Sequence, residues 1–105
     1  MNKTMRASEI SPEQAKAKME QGATVADVRD PGEFEEGHIA GAILLPAADI
    51  KYEAAARLPD RDAEILVYCQ SGQRSRRAAA QLRFMGYTAV YDLGAITEWP
   101  YELEY

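Results

Sequence analysis

Residues 65–77 read ILVYCQSGQRSRR, and this stretch decides the fold. Its first four residues are apolar or aromatic and rich in strand-forming types, which predicts a buried strand that stops at Cys69. A short polar loop with one glycine follows, and residues 75–85 have the composition of a helix. A strand, a tight loop and a helix in this order bring loop N–H groups and the positive end of the helix around one point. The arrangement suits the binding of an anion, or the formation of one from Cys69.

Cys69 is the only cysteine in the chain. A lone cysteine at the end of an apolar strand is most often an inert, buried side chain. Here the polar loop and the nearby Arg74, Arg76 and Arg77 favour the thiolate, which is the nucleophilic form. We therefore interpret Cys69 as reactive. It would act without a second cysteine, since the chain has neither a disulfide partner nor a Cys-x-x-Cys motif.

The composition is that of one globular domain, and we assign residues 1–105 to it. A net charge of −5 argues against nucleic acid as a partner, while the arginines after Cys69 favour a small anionic ligand. With one His and one Cys, we expect no metal site. No apolar run is long enough to span a membrane, and residues 1–11 lack the apolar segment of a secretion signal. We expect a cytoplasmic protein, although a chain whose signal had been removed would look the same.

Strands and helices alternate along the chain. Ser11, Pro12 and Gln14 form a helix-start pattern, with a capping residue, a proline in the first turn and a glutamine three positions after the cap. The predicted strands are residues 24–28, 43–45, 65–68 and 89–91, and the predicted helices are 12–20, 33–36, 49–58, 75–85 and a short one through 99. This order predicts an α/β fold with a mainly parallel central sheet flanked by helices on both faces. A further short edge strand at residues 8–10 would permit a weak homodimer without requiring one, so the expected state is a monomer or a weak homodimer.

Three separated motifs stand out in the chain. The first comprises residues 27–29 (DVR), 33–34 (EF) and 37–42 (GHIAGA); the second is the loop 69–75 (CQSGQRS); the third is Leu93-Gly94 with Trp99. In this order they resemble the motifs of the rhodanese-like domain family. Together they cover nearly the whole chain, so the resemblance leads us to expect a stand-alone, single-domain member. This resemblance implies a sulfurtransferase of the thiosulfate type.

In that family the cysteine, here Cys69, takes a sulfane sulfur from a donor such as thiosulfate and carries it as a persulfide. The sulfur then passes to an acceptor, which is cyanide, a thiol or a protein. The resemblance implies that the loop residues surround the substrate and that no cofactor or metal takes part. Those loop residues are Gln70, Ser71, Gly72, Gln73, Arg74 and Ser75. Inward-pointing loop N–H groups would stabilise the anionic persulfide, and Gly72 would permit the positive φ that turns them inward.

Two other functions stay open. Four residues separate Cys69 from Arg74, the shorter spacing of sulfur-transferring members, whereas related phosphatases and arsenate reductases have five. Gln70 stands where many members have Arg, which lowers the expected affinity for the thiosulfate dianion. The second function is therefore a sulfur relay or binding module that acts with a partner protein, and a phosphatase-like thiol enzyme is the third.

The remaining candidate residues have expected roles of their own. Arg74 would hold the sulfonate of the donor or organise the loop through backbone carbonyls, with equal weight. Ser75 is expected to cap the following helix. Asp27 and Arg29 are expected to form a supporting ion pair, with proton transfer by Asp27 as the lesser alternative. His38 could be a general base for Cys69, but the resemblance implies a structural role.

Overall fold

Strands and helices alternate from Ser11 to the C-terminus in this computed structural model, which describes residues 9–105. The helices are α1 (Pro12–Glu20), α2 (Pro31–Glu35), α3 (Ile50–Arg57) and α4 (Gln73–Phe84). The strands are β1 (Thr24–Asp27), β2 (His38–Ile39), β3 (Ile43–Leu44), β4 (Glu64–Cys69), β5 (Ala89–Ala95) and β6 (Leu103–Glu104). Two short 3₁₀ turns, Ala47–Asp49 and Ile96–Glu98, complete the order.

The central sheet has the strand order β3-β1-β4-β5, and every pairing in it is parallel. β4 lies in the interior of the sheet, and Asp27 at the end of β1 pairs with Tyr68. The carboxyl ends of β1 and β4 therefore meet at one edge, where α/β sheets bind ligands. This register places Asp27 and Cys69 together, as the sequence predicted.

The two faces of β4 pack against different helices. Cys69, Ile65 and Val67 point into a core formed with buried side chains of α3 and α4, while Leu66 and Tyr68 point into a second core. The second core also contains Ala15 of α1 and Ile39 of β2. Helices thus cover both faces of a parallel sheet, which confirms the predicted fold class.

α1 begins at the predicted position and for the predicted reason. The Ser11 hydroxyl accepts the Gln14 N–H at 3.1 Å, and the Gln14 side chain accepts the Ser11 N–H at 3.0 Å. The reciprocal pair satisfies two N–H groups that have no partner within the helix. Among residues 9–105, no helix is both long and apolar enough to cross a bilayer.

Two features were not predicted. The C-terminal residues, for which no strand was predicted, contribute β6, which pairs antiparallel with β2 in a second, two-stranded sheet. β5 continues to Ala95 instead of stopping at residue 91. At the proposed edge strand, Glu9 forms an isolated parallel bridge to Asp92 of β5, and Ser8 lies outside the described residues.

Candidate active site

The sulfur of Cys69 lies at the carboxyl end of β4, beneath the loop that leads into α4. The side chain is fully buried, and its Sγ accepts N–H groups from Gly72 at 3.0 Å and Ser75 at 3.3 Å. Gly72 has φ of +99°, which residues with a Cβ adopt only with strain. This conformation turns the loop so that its amides point at the sulfur. The site can therefore hold a negative charge on Cys69 or on an atom bonded to it.

The helix after the loop starts earlier than predicted. Gly72 is the capping residue and α4 begins at Gln73, so the prediction that Ser75 caps the helix was wrong. Ser75 instead lies in the first turn with its side chain fully buried. Its Oγ is 3.1 Å from the Gly72 carbonyl oxygen and 2.7 Å from Oδ1 of Asp92. Asp92 was not predicted, although an acidic residue within the apolar strand β5 is a signal of a buried polar contact.

Asp27 and Arg29 form the predicted ion pair. Arg29 Nη2 donates to Asp27 Oδ2 at 2.8 Å, and Arg29 Nε lies 3.0 and 3.1 Å from the two carboxylate oxygens. Both side chains are buried. The Tyr68 hydroxyl also donates to Asp27 Oδ2, at 2.5 Å, and accepts the Ile39 N–H at 3.0 Å. A buried charge needs partners of this kind, because desolvation without them is costly.

Arg29 also connects this pair to the cysteine loop. Its Nη1 donates to Gln70 Oε1 at 3.1 Å, and its Nη2 donates to the Gly37 carbonyl at 2.7 Å. Gln70 is exposed and directly follows Cys69. The buried guanidinium therefore fixes the side chain at the start of the loop, and the Asp27 carboxylate balances its charge.

Arg74 binds a carboxylate that sequence analysis did not assign to it. Its Nη1 and Nη2 donate to Oε1 and Oε2 of Glu33 at 2.8 and 3.0 Å. The hydrogen bonds from Arg74, joined by one from the Asp30 N–H, lower the pKa of Glu33 to about 2. The pair links the first turn of α4 to α2. Its geometry favours the loop-organising role of Arg74, exerted through a carboxylate and not through backbone carbonyls.

His38 lies on β2 with both ring nitrogens near oxygen atoms. Nδ1 is 2.9 Å from the Phe34 carbonyl oxygen, and Nε2 is 3.5 Å from Oε1 of Glu104. The ring stacks on Phe34 with a centroid distance of 3.7 Å. These contacts agree with a structural role for His38.

The other predicted loop residues, Ser71 and Gln73, are exposed on the outer side of the loop. They border a cavity of about 610 Å³ between the start of α4 and the end of β5. Arg76 and Arg77 also line it, and Asp92 lies at its wall. The arginine cluster that sequence analysis singled out is therefore divided: Arg74 turns toward α2, whereas Arg76 and Arg77 face this cavity.

Residues 11–101 match the family described as the rhodanese-like domain, and this span contains the whole cysteine loop. The chain belongs to the rhodanese-like domain family. Membership confirms the resemblance found in its three motifs. The rhodanese fold is also recovered among solved structures: the rhodanese-like domain of the Anabaena Alr3790 protein matches with a TM-score of 0.83 and 26% identity, covering 94% of this chain and 80% of that one.

Two further rhodanese relatives have names that state an activity. The thiosulfate sulfurtransferase GlpE of Pseudomonas fluorescens Pf-5 is 42% identical over 91 residues, which is 86% of this chain and 82% of that protein. The human single-domain sulfurtransferase TSTD1 matches in structure with a TM-score of 0.75 and 28% identity, covering 90% of this chain and 96% of that one. Both are small proteins matched over most of their length.

Proposed function

We propose that this protein moves a sulfane sulfur from thiosulfate or a similar donor to a thiophilic acceptor through a persulfide on Cys69. The sulfurtransferase class itself, predicted from the sequence, is confirmed by the family membership and by relatives so named. The observation that supports Cys69 as the carrier is the pair of N–H groups, from Gly72 and Ser75, that donate to its Sγ. Such donors stabilise an anion without having to reorganise during the reaction.

The proposed transfer has two steps. The Cys69 thiolate attacks the sulfane sulfur of the donor, a new S–S bond forms, and sulfite leaves with the electron pair of the broken bond. The anionic outer sulfur of the persulfide then lies within the loop. In the second step the acceptor, cyanide or a thiolate, attacks that outer sulfur, and the Sγ–S bond breaks. The electron pair returns to Sγ and restores the thiolate.

The residues around Cys69 support this chemistry by fixing the loop. Gly72 and Ser75 supply the hydrogen-bond donors. Arg29 holds the Gln70 side chain, and Asp27 balances the charge of Arg29. Arg74 ties the loop to α2 through Glu33. Gln70, Ser71 and Gln73 are left on the exposed side of the loop, where a donor or an acceptor would approach.

A sulfur relay with a protein donor is the second candidate function, and the charges at the site favour it. Arg29 and Arg74 are each bound to a carboxylate, and Gln70 is neutral. The positive charges of Arg29 and Arg74 are therefore compensated, which weakens their attraction for a dianion such as thiosulfate. A protein persulfide would not need that attraction, because its affinity comes from surface contacts.

Intact mass of the reduced protein, measured before and after thiosulfate, tests the proposal, with Cys69→Ser alongside. We expect the wild type alone to gain one sulfur atom and to lose it again when cyanide is added. If folded wild type with a free thiol gains nothing, thiosulfate is not the donor, and a protein persulfide donor becomes the next reagent. Loading of Cys69→Ser to the same extent would contradict the carrier role of Cys69.

The setting of the reaction is part of the same proposal. We place the protein in the cytoplasm, because a reducing compartment keeps a single catalytic thiol free. We propose one domain over residues 1–105, acting as a monomer or a weak homodimer. The physiological acceptor would be a thiol or a protein.

A further inference from the structure

The hydroxyl of Ser75 lies beside both of the residues that donate N–H groups to the cysteine sulfur. Ser75 is itself one donor, and its Oγ lies 3.1 Å from the carbonyl oxygen of Gly72, the other donor. The same Oγ lies 2.7 Å from Oδ1 of Asp92 on β5. A hydroxyl has one hydrogen to donate, and the shorter contact is the one to Asp92, so the Ser75 hydroxyl connects the first turn of α4 to the neighbouring strand β5.

Asp92 is held in a constrained environment. It is 9% exposed, and its backbone pairs with Val67 of β4 and bridges to Glu9. Burial raises the pKa of the Asp92 carboxyl, and the charge of Glu9 raises it further. The pKa is lowered by hydrogen bonds from the Ser75 hydroxyl and the Gly94 N–H, and by the charge of Arg76. β4 and β5 pair on both sides of a bulge that lies between Asp92 and Gly94, so the carboxylate is held at a defined place relative to Cys69 at the end of β4.

We propose that Asp92 is a positioning residue for Cys69: through the Ser75 hydroxyl it fixes the first turn of α4 so that the Gly72 and Ser75 N–H groups meet the sulfur. The contribution of Asp92 to sulfur transfer rests on the function proposed above. Its effect on the thiolate does not, since hydrogen-bond donors stabilise a thiolate whatever reaction follows.

The matched pair Asp92→Asn and Asp92→Val tests the hydrogen bond between Ser75 and residue 92, because the two variants have the same charge. Both substitutions remove the negative charge, but only asparagine keeps an oxygen that can accept the Ser75 hydroxyl. Ser75→Ala removes the hydroxyl itself. Ser11→Ala is the control, because it removes a capping hydroxyl from α1, on the opposite face of the sheet from α4.

The readout is the rate of Cys69 alkylation by iodoacetamide at neutral pH divided by the rate at strongly alkaline pH. At alkaline pH the thiol is ionised in every variant, so the ratio cancels differences in access to the buried sulfur and reports thiolate stabilisation. We expect the ratio for Ser75→Ala to fall about tenfold below wild type, and that for Asp92→Val about tenfold below Asp92→Asn. Ser11→Ala should lower the melting temperature and leave the ratio unchanged.

Unchanged ratios in folded Ser75→Ala and Asp92→Val would overturn the proposal. If one of them fails to fold, the other decides; if neither folds, the contact serves the fold as a whole and the proposal is also overturned. Sulfur loading of the wild type is measured in parallel. If the variants change the alkylation ratio as expected while the wild type takes sulfur from neither thiosulfate nor a protein persulfide, that result would contradict the proposed function and support the positioning role of Asp92.

Discussion

Arg74 and Glu33, which are 41 positions apart in the chain, form a two-pronged ion pair in which Nη1 and Nη2 lie 2.8 and 3.0 Å from the two carboxylate oxygens. Paired, parallel hydrogen bonds of this kind fix direction as well as distance. The pair thus sets the position of the start of α4 relative to α2. It also neutralises the charge of Arg74, which would otherwise be available to an anionic donor.

Glu33→Gln should make the stability of the protein less dependent on pH. The folded-state pKa of Glu33 is about 2 and its ordinary value is 4.5, so its contribution is complete above about 4.5 and is lost as the pH falls through about 2. At neutral pH the variant should be less stable by about 1 kcal/mol, since the pair is partly exposed. Urea unfolding from pH 2 to 7 measures this, and the difference should vanish toward pH 2. Glu35→Gln, on the exposed side of α2, is the control and should follow wild type.

Gly72→Ala should damage both the fold and the site. A Cβ at Gly72 would meet no atom within 4 Å, so the penalty comes from the backbone at φ of +99° and amounts to about 1–2 kcal/mol. Relief of that strain withdraws the N–H group from Cys69 and should slow persulfide formation. Gly22→Ala is closely matched, with φ of +103° and open space for a Cβ, but in the turn after α1. It should lose similar stability in chemical denaturation and keep the wild-type loading rate; equal loading rates in the two variants would contradict the role of the Gly72 amide.

Gln70→Arg should improve the use of thiosulfate. The substitution places an uncompensated cation beside Cys69, where Arg29 and Arg74 are already paired with carboxylates. Steady-state assays with cyanide as acceptor should show KM for thiosulfate lowered about fivefold, as expected for roughly 1 kcal/mol of added attraction. The gain should shrink as salt is added. Gln21→Arg makes the same change in net charge at the end of α1 and should leave KM unaltered; an equal effect there would point to net charge alone.

Tyr68→Phe should destabilise the fold by about 2 kcal/mol. The hydroxyl donates to Asp27 and accepts the Ile39 N–H in a fully buried place, so its removal leaves both groups without that partner. Denaturant unfolding measures the loss. Tyr52→Phe removes the same atom from a side chain that is 77% exposed and should cost almost nothing. Similar losses in the two variants would mean that the buried hydroxyl contributes no more than an exposed one.

The strand, loop and helix around Cys69 could be predicted because their signals are local. An apolar run, a polar loop with one glycine and a periodic helix occupy consecutive positions. The ion pair of Asp27 with Arg29 is also local, because the two residues are only two positions apart in the sequence. The start of the helix was missed by two residues, since Gly72, with positive φ, caps a helix that begins at Gln73, whereas Ser75 was the expected cap. Both residue types begin helices, and the sequence alone does not decide between them.

Contacts between distant residues were the part that sequence could not supply. Glu33 with Arg74, and Ser75 with Asp92, are brought together by the order of strands in the sheet. The pairing of β2 with β6 joins residues 66 positions apart, from two segments too short to show a strand pattern. In each case the partner of a residue is determined by the tertiary fold and not by its neighbours in the sequence.

Cys69 belongs to the same buried cluster as Val67 and Leu82, so the atom proposed to carry sulfur is also part of the protein interior. Attachment and release of a sulfur atom would then change a core residue at every turnover. Attachment of sulfur and folding are therefore thermodynamically linked. The change in the free energy of unfolding on loading equals the difference between the free energies of attaching that sulfur to the native and to the unfolded chain. The melting temperature of this protein would consequently report whether Cys69 carries a sulfur atom.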